Sequence, residues 1–176
     1  MDQFKEKQVK RRLVYDIDFI TIYEDDILLP NNKPSKRVVV DHVGAACVLP
    51  LTKNHEVVLV KQYRYAIDAV SLEIPTGKKD FKGEDSKACA KRELEEEVAY
   101  TSDDFEWVSS MYSAIGYSNE LIDIYLAKDC VPYDGVNQPD DDEFLERVFL
   151  SIDQAKAFVK DGTIKDAKTV ITILQL

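Results

Sequence analysis

The sequence has few of the residues on which metal-thiolate and disulfide-rich proteins depend. Its 176 residues include two histidines and three cysteines, and neither type shows the spacing of a zinc site. Cys47, Cys89 and Cys130 are odd in number. We therefore expect reduced, partly buried thiols in a cytoplasmic protein rather than a disulfide framework.

Long apolar runs and positive charge are also scarce. No stretch approaches the roughly 18 apolar residues of a membrane span, and the start, MDQFKEKQVKRR, lacks the apolar core of a signal peptide. Lys and Arg number 23 against 33 Asp and Glu, so the formal net charge is −10. We expect neither a membrane nor nucleic acid as a partner.

Alternating and apolar segments predict a series of β-strands. Residues 14–29 and 37–41 flank the turn sequence PNNKPSK and are predicted to form a small antiparallel unit. Its exposed edge needs a partner, which a homodimer would supply. Further strands are predicted at residues 45–51, 57–60, 70–74, 105–112, 121–127 and 144–150.

Three helices complete the prediction. The first follows a glycine-containing turn at residues 77–83, the second is capped by Ser151 and ends at residues 161–162, and the last covers residues 165–176. No G-x-G-x-x-G follows a first strand, which excludes a Rossmann fold. The order of the elements predicts one mixed α/β sandwich.

The first predicted helix is unusually rich in acidic residues. Glu93, Glu96 and Glu97 share one helical face, whereas Leu94 and Val98 face the core. Three like charges on one patch repel one another unless a cation lies among them. Divalent cations such as Mg²⁺ prefer carboxylate oxygens, although the glutamates alone are more typical of a solvated helix face.

The pattern around these glutamates resembles the Nudix box, the signature of Nudix hydrolases. The matching residues are Gly77, Glu84, Arg92, Glu93, Leu94, Glu96, Glu97 and Tyr100. Two positions depart from the family: six rather than five residues separate Gly77 from Glu84, and Ala99 replaces a glycine. In a left-handed helix terminus alanine costs about 1 kcal/mol more than glycine. Since every carboxylate is kept, the resemblance favours a metal site.

Nearly the whole chain is similar to the ADP-ribose pyrophosphatase branch of that family. The similar segments are HVGAACVLPL, VVLVKQYRYAI, LEIPTGK, YSAIGYSNE, DEFLERVFLS and GTIKDAKT. The resemblance implies a Nudix α/β/α sandwich with a mixed sheet at residues 42–176. It also implies an N-terminal antiparallel strand unit, residues 1–41, through which two subunits dimerise.

The resemblance implies hydrolysis of a nucleoside diphosphate linked to another group, with ADP-ribose giving AMP and ribose 5-phosphate. It assigns Mg²⁺, or alternatively Mn²⁺, to the box glutamates Glu93, Glu96 and Glu97, with the carbonyl of Thr76 as a further ligand. Glu97 is thereby also catalytic. Arg92 is expected to pair with Glu84 or another box carboxylate.

The general base is expected from the acidic loop before the last strand, where Glu143 aligns best and Asp141 and Glu146 are rivals. Arg64 and Glu73 match positions near the substrate. A guanidinium at Arg64 suits a diphosphate because it binds oxygens in a bidentate manner.

Two further positions bear on the substrate. Arg37 is a candidate nucleotide contact across a dimer, and Ile115 replaces a proline that is usual in this branch. The loss of that proline leaves a nucleotide sugar or a dinucleotide open as the substrate. A non-catalytic, nucleotide-sensing Nudix domain is a third reading.

Overall fold

The computed structural model describes residues 2–135 and 144–176, and it contains two β-sheets and three α-helices. The N-terminal sheet is antiparallel and has three strands in the order β1 (Lys7–Ile17), β2 (Ile20–Leu28) and β3 (Pro34–His42). Arg11 on β1 pairs with Asp25 on β2 at 2.7 Å. This sheet corresponds to the small antiparallel unit predicted from the sequence.

The first strand begins earlier than the pattern indicated. β1 starts seven residues before Val14, and all eleven of its residues are exposed. A strand that is exposed on both faces has no need to alternate apolar and polar side chains, so periodicity could not reveal it. Its position is instead stabilised by backbone pairing with β2 and by ion pairs such as Arg12 with Glu24.

The main sheet contains the other eight strands and is mixed. Its central path runs β11-β5-β4-β10-β8, with β6, β7 and β9 pairing β5, β4 and β10. β4 and β10 are parallel and the other pairs are antiparallel. The strands are β4 (Ala45–Thr52), β5 (Glu56–Arg64), β6 (Ala69–Glu73), β7 (Thr76–Lys78), β8 (Tyr100–Thr101), β9 (Asp104–Tyr112), β10 (Leu121–Pro132) and β11 (Glu146–Ser151).

Helices cover both faces of this sheet, which confirms the predicted sandwich. Side chains alternate along β4: Cys47 and Leu49 pack with Ile173 of the C-terminal helices, whereas Ala46 and Val48 pack with Leu94 of the first helix. All six side chains have no exposed surface. The strand is apolar along its length because it contributes to a core on each side.

The three helices begin at their predicted starts or within a few residues of them. α1 (Ser86–Val98) begins after Asp85, α2 (Ile152–Lys160) has a capping box at Ser151, and α3 (Ala167–Ile173) begins after Asp166. α1 ends at Ala99 in the left-handed conformation, with φ 50° and ψ 46°. Within the described residues, every helix falls short of the length and apolar character of a membrane span.

Backbone hydrogen bonds join the N-terminal sheet to the loop between β9 and β10. Val40 on β3 donates to the carbonyl of Tyr117 at 2.7 Å and accepts from the amide of Asn119 at 3.1 Å. The Asn119 side chain accepts from the amide of His42 at 2.8 Å and donates to Asp41. We call these contacts the β3–loop seam.

Candidate active site

A cavity lies between the second half of α1, the start of α3 and the end of β3. Its volume is about 830 Å³. Eighteen residues line it: Phe19, His42, Ala45, Arg64, Thr76, Gly77, Lys78, Asp80, Arg92, Glu93, Glu96, Met111, Ser113, Glu120, Ile122, Asp166, Ala167 and Lys168. Four of the predicted site residues, Arg64, Thr76, Glu93 and Glu96, therefore share one cavity.

Arg92 lies among carboxylates at the α1 side of the cavity. Its Nη1 atom is 2.6 Å from Glu93 and 3.4 Å from Glu96, and its Nη2 atom is 3.6 Å from Glu84 and 3.7 Å from Asp80. Burial would lower the pKa of the Arg92 guanidinium, but the neighbouring negative charges, Glu93 first, raise it. The expected pairing of Arg92 with box carboxylates is confirmed, and four carboxylates surround one cation.

Gly77 allows the carboxylate of Glu93 to lie against the backbone of β7. A Cβ atom at Gly77 would be 1.8 Å from Glu93 Oε1, so any side chain there would displace the carboxylate. Behind it, Glu97 accepts a hydrogen bond from the Thr76 amide at 3.0 Å. The sequence predicted a turn at these residues, but residues 76–78 form a short strand that pairs with β4.

The arrangement suits a hard divalent cation in its donor chemistry. Glu93, Glu96 and Glu97 present carboxylate oxygens, the kind of donor such a cation prefers, within one turn of one helix, and the Thr76 amide contacts Glu97. In the part of the chain that the structure describes, no three such groups already enclose a cation-sized space. A cation bound there would compete with the guanidinium of Arg92 for the oxygens of Glu93 and Glu96.

Arg64, a second arginine that lines the cavity, forms a bidentate ion pair with Glu73. Arg64 Nε and Nη2 donate to the two Glu73 oxygens, each at 2.7 Å. Glu73 is 3% exposed. Burial alone would raise the pKa of Glu73, but hydrogen bonds from Arg64 and the charge of Lys168 outweigh burial and lower it to about 2.

Two residues of α3 extend this ion pair, and the sequence did not single them out. Lys168 Nζ lies 2.8 Å from Glu73 Oε2 and 2.9 Å from Asp166 Oδ1. Burial would lower the pKa of Lys168, but the charges of Asp166 and Glu73 raise it, so the lysine stays charged. The available signal was a lysine within the otherwise uncharged segment AKTVITI.

The wall nearest the β3–loop seam is partly aromatic and was also missed. Phe19 and His42 meet edge to face with ring centroids 5.3 Å apart. His42 Nδ1 accepts from the Gly44 amide at 3.0 Å, and Nε2 lies 3.6 Å from Glu120. These residues are separated along the chain, so no local motif indicated that they would line one cavity.

The remaining predicted site residues have other surroundings. Arg37 lies on β3, where it donates to Glu6 and Ser35, and Ile115 is 82% exposed. Glu146, a rival for the general base, lies on β11 and pairs with Lys61 at 3.0 Å. Glu143 and its other rival, Asp141, lie outside the described residues.

The three cysteines are free and buried, as predicted for the thiols. Burial raises the pKa of Cys47 and Cys89 to about 12 and that of Cys130 to about 11. Because the reactive form of cysteine is the thiolate, none of these three side chains is suited to act as a nucleophile.

Comparison with known proteins gives one consistent family. Residues 41–171 match the model of the NUDIX domain. The chain is 37% identical over 173 residues to a methanol dehydrogenase activator of Bacillus methanolicus, covering 98% of this chain and 93% of the relative. It is 34% identical over 176 residues to an ADP-ribose pyrophosphatase of Bacillus subtilis (strain 168), covering 100% and 95%.

More distant similarity extends to other diphosphate-cleaving proteins. A GDP-mannose pyrophosphatase of Cronobacter sakazakii is 30% identical over 153 residues, covering 80% of this chain and 77% of the relative. The crystal structure of an ADP compounds hydrolase superposes with a TM-score of 0.83 over 97% of this chain and 91% of that one. Its sequence is 20% identical, so the likeness shows the fold.

Proposed function

Because the chain belongs to the Nudix family and is a Nudix pyrophosphohydrolase, we propose that it hydrolyses ADP-ribose to AMP and ribose 5-phosphate with Mg²⁺. The observation that carries this proposal is the cavity between Arg64 and the α1 carboxylates, where a cation-binding and an anion-binding group face one space. The relative from Bacillus subtilis, an ADP-ribose pyrophosphatase that matches over 95% of its length, supports the choice of substrate.

We assign phosphate binding and cation binding to two different groups of residues in the cavity. Arg64 presents a guanidinium that can bind phosphate oxygens while Glu73 fixes its orientation. Glu93, Glu96 and Glu97, with the Thr76 carbonyl, would hold Mg²⁺, or alternatively Mn²⁺. Nudix hydrolases generally use divalent cations, and such a cation neutralises phosphate oxygens and makes bound water more acidic.

A general base must take a proton from the attacking water. We assign this role to Glu143, on the family resemblance of the acidic loop before β11. Glu146 is less suitable because its carboxylate pairs with Lys61 on β5. Glu143→Gln should lower kcat more than it changes KM, and an unchanged kcat would return the role to Asp141.

A nucleotide sugar is the second candidate substrate. Ile115 replaces the usual proline of the loop between β9 and β10, and that loop supplies Ser113 and Glu120 to the cavity. Proline fixes φ and would stiffen the loop. The similarity to a GDP-mannose pyrophosphatase favours the same alternative.

The test is product analysis of the purified protein with ADP-ribose, GDP-mannose and a dinucleotide, with and without Mg²⁺. Metal-dependent release of AMP from ADP-ribose as the preferred reaction is expected. Preferred cleavage of GDP-mannose would assign the second substrate. Binding of these compounds with no cleavage of any would favour a nucleotide-sensing domain.

We further propose that residues 1–41 act as a dimerisation unit and that Arg37 contacts the nucleotide of the partner subunit. β1 is an exposed edge strand with exposed Val9, Leu13 and Tyr15, a feature that pairing with a second copy would cover. Leu13→Glu should convert a dimer to a monomer in light scattering, whereas Lys53→Glu, in the turn between β4 and β5, should not. A wild-type monomer at all concentrations would refute the unit's role.

A further inference from the structure

Lys168 is a charged side chain in a costly position. It is 8% exposed, and a buried ammonium is tolerated only with good partners. It also lies in the first turn of α3, where the helix dipole disfavours a cation. Because neither its burial nor its helix position favours a lysine here, its ion-pair contacts must be the reason that a lysine is found at this position.

Lys168 lines the cavity itself, and its contacts connect it to the guanidinium of Arg64 through Glu73. Lys168 shares Glu73 Oε2 with Arg64 Nη2, and Glu73 Oε1 accepts from Arg64 Nε. Asp166 holds the other side of the ammonium and is itself the N-cap of α3, accepting from the Thr169 amide. Thr169 also accepts from the Ile74 amide, next to Glu73.

We propose that Lys168 is a positioning residue for substrate binding, acting through Glu73 on the guanidinium of Arg64. A Glu73 carboxylate that was bound to Arg64 alone could rotate within its pocket. Lys168 fixes Glu73 Oε2, so the guanidinium of Arg64 is held in the orientation that receives a diphosphate. This inference rests on the proposed function, in which Arg64 binds phosphate oxygens.

The predicted consequence is a selective loss of affinity. Arg64 would bind the diphosphate in ground and transition states alike, so a loosened guanidinium raises KM and leaves kcat nearly unchanged. Lys168→Met should raise KM about tenfold, the effect of losing one charge-assisted contact. Lys168→Arg, which keeps a donor toward Glu73, should restore KM to within about threefold of wild type.

Two matched controls separate positioning from general destabilisation. Lys165→Met removes an exposed lysine just before α3 and should leave KM and the urea midpoint of unfolding unchanged. Ile173→Ala opens a cavity in the core under α3 and should lower the urea midpoint without changing KM. A rise in KM for Ile173→Ala equal to that for Lys168→Met would overturn the inference.

A double-mutant cycle tests the route through Glu73 and also covers the case in which Lys168→Met fails to fold. Lys168→Met combined with Glu73→Gln removes both charges of the buried pair and should fold. Its KM should equal that of Glu73→Gln alone, because Lys168 acts only through that carboxylate. Additive increases would mean that Lys168 contacts substrate directly and would overturn the inference.

The assays use whichever nucleoside diphosphate derivative the wild type cleaves best in the presence of Mg²⁺. A wild type that cleaves none of them refutes the proposed function itself. A wild type that is active beside a Lys168→Met variant of unchanged KM refutes the role of Lys168 alone.

Discussion

Two arginines line the same cavity, and their surroundings differ in charge balance. Arg92 has four carboxylates within 4 Å and excess negative charge around it. Arg64 belongs to a group of two cations and two carboxylates, completed by Glu73, Lys168 and Asp166. The first cluster is suited to gain a cation, whereas the second is already neutral and suited to keep its geometry.

This difference explains how one cavity can bind a diphosphate although the chain has a net charge of −10. In the proposed function, the acidic side binds a cation that neutralises the phosphate oxygens. The balanced side offers a guanidinium whose orientation is fixed by its neighbours. Substitutions at the Arg92 side should therefore affect turnover, and those at the Arg64 side should affect stability and affinity.

The largest expected effect belongs to Glu97→Gln. The change keeps the acceptor for the Thr76 amide but removes one negative charge from the proposed cation site. We expect turnover to fall about 10²–10³-fold, the scale of losing one electrostatic contribution to a transition state, with an unchanged urea midpoint. Steady-state kinetics at saturating Mg²⁺ provide the measurement.

Glu95→Gln is the matched control, because Glu95 lies on the same helix but accepts from Thr101. It should retain wild-type turnover. Equal losses in both variants would show that helix charge, rather than a specific ligand set, controls activity.

Gly77→Ala tests the close approach of Glu93 to the backbone. The added Cβ would meet the Glu93 carboxylate at 1.8 Å, so Glu93 must move. We expect the Mg²⁺ concentration for half-maximal activity to rise about tenfold, since one ligand is misplaced. Gly83→Ala is the control: its φ of +99° strains alanine but nothing lies within 4 Å, so it should cost stability and leave the Mg²⁺ requirement unaltered.

The ion pair between Glu73 and Arg64 should make the free energy of unfolding depend on pH. The pKa of Glu73 is lowered from 4.5 to about 2, so its contribution is complete above about pH 4.5 and is lost as pH falls toward 2. Glu73→Gln should cost about 2–3 kcal/mol at pH 7, and progressively less below pH 4.5. Urea unfolding at several pH values measures this. A cost that does not change with pH would contradict the ion-pair origin.

The control for that titration is Glu146→Gln. The carboxylate of Glu146 is exposed and pairs with Lys61. Surface pairs contribute little, so its variant should track the wild type across the same pH range.

The smallest expected effect concerns the end of α1. Ala99 has φ 50°, a conformation that glycine adopts without penalty, so Ala99→Gly should stabilise the protein by about 1 kcal/mol. Ala88→Gly, at an exposed helical position, should destabilise it by about 0.5–1 kcal/mol. A thermal unfolding scan compares them. The same sign for both variants would contradict the left-handed terminus.

The sequence predicted the features that are local or that form a motif. Ser151 identified the start of α2, and alternate apolar runs identified the central strands. The box pattern brought Arg92 and the glutamates of α1 together correctly. In each case the relevant residues lie within one or two helical turns or one strand, where periodicity is informative.

The missed residues depend on contacts between distant segments. Lys168 and Glu73 are 95 positions apart, and Phe19 meets His42 across two strands. Exposed β1 showed no apolar alternation because it buries neither face. Such features depend on tertiary packing, for which a single sequence carries no periodic signal.

The β3–loop seam has a consequence for how this protein can be engineered or diversified. The backbone of Val40 in the N-terminal sheet holds Tyr117 and Asn119, and the loop they belong to carries Ile115. A chimera that exchanges the loop alone would receive it without its supporting strand. The end of β3 and residues 113–120 should therefore be transferred together, as one structural unit, although some 70 residues separate them in the chain.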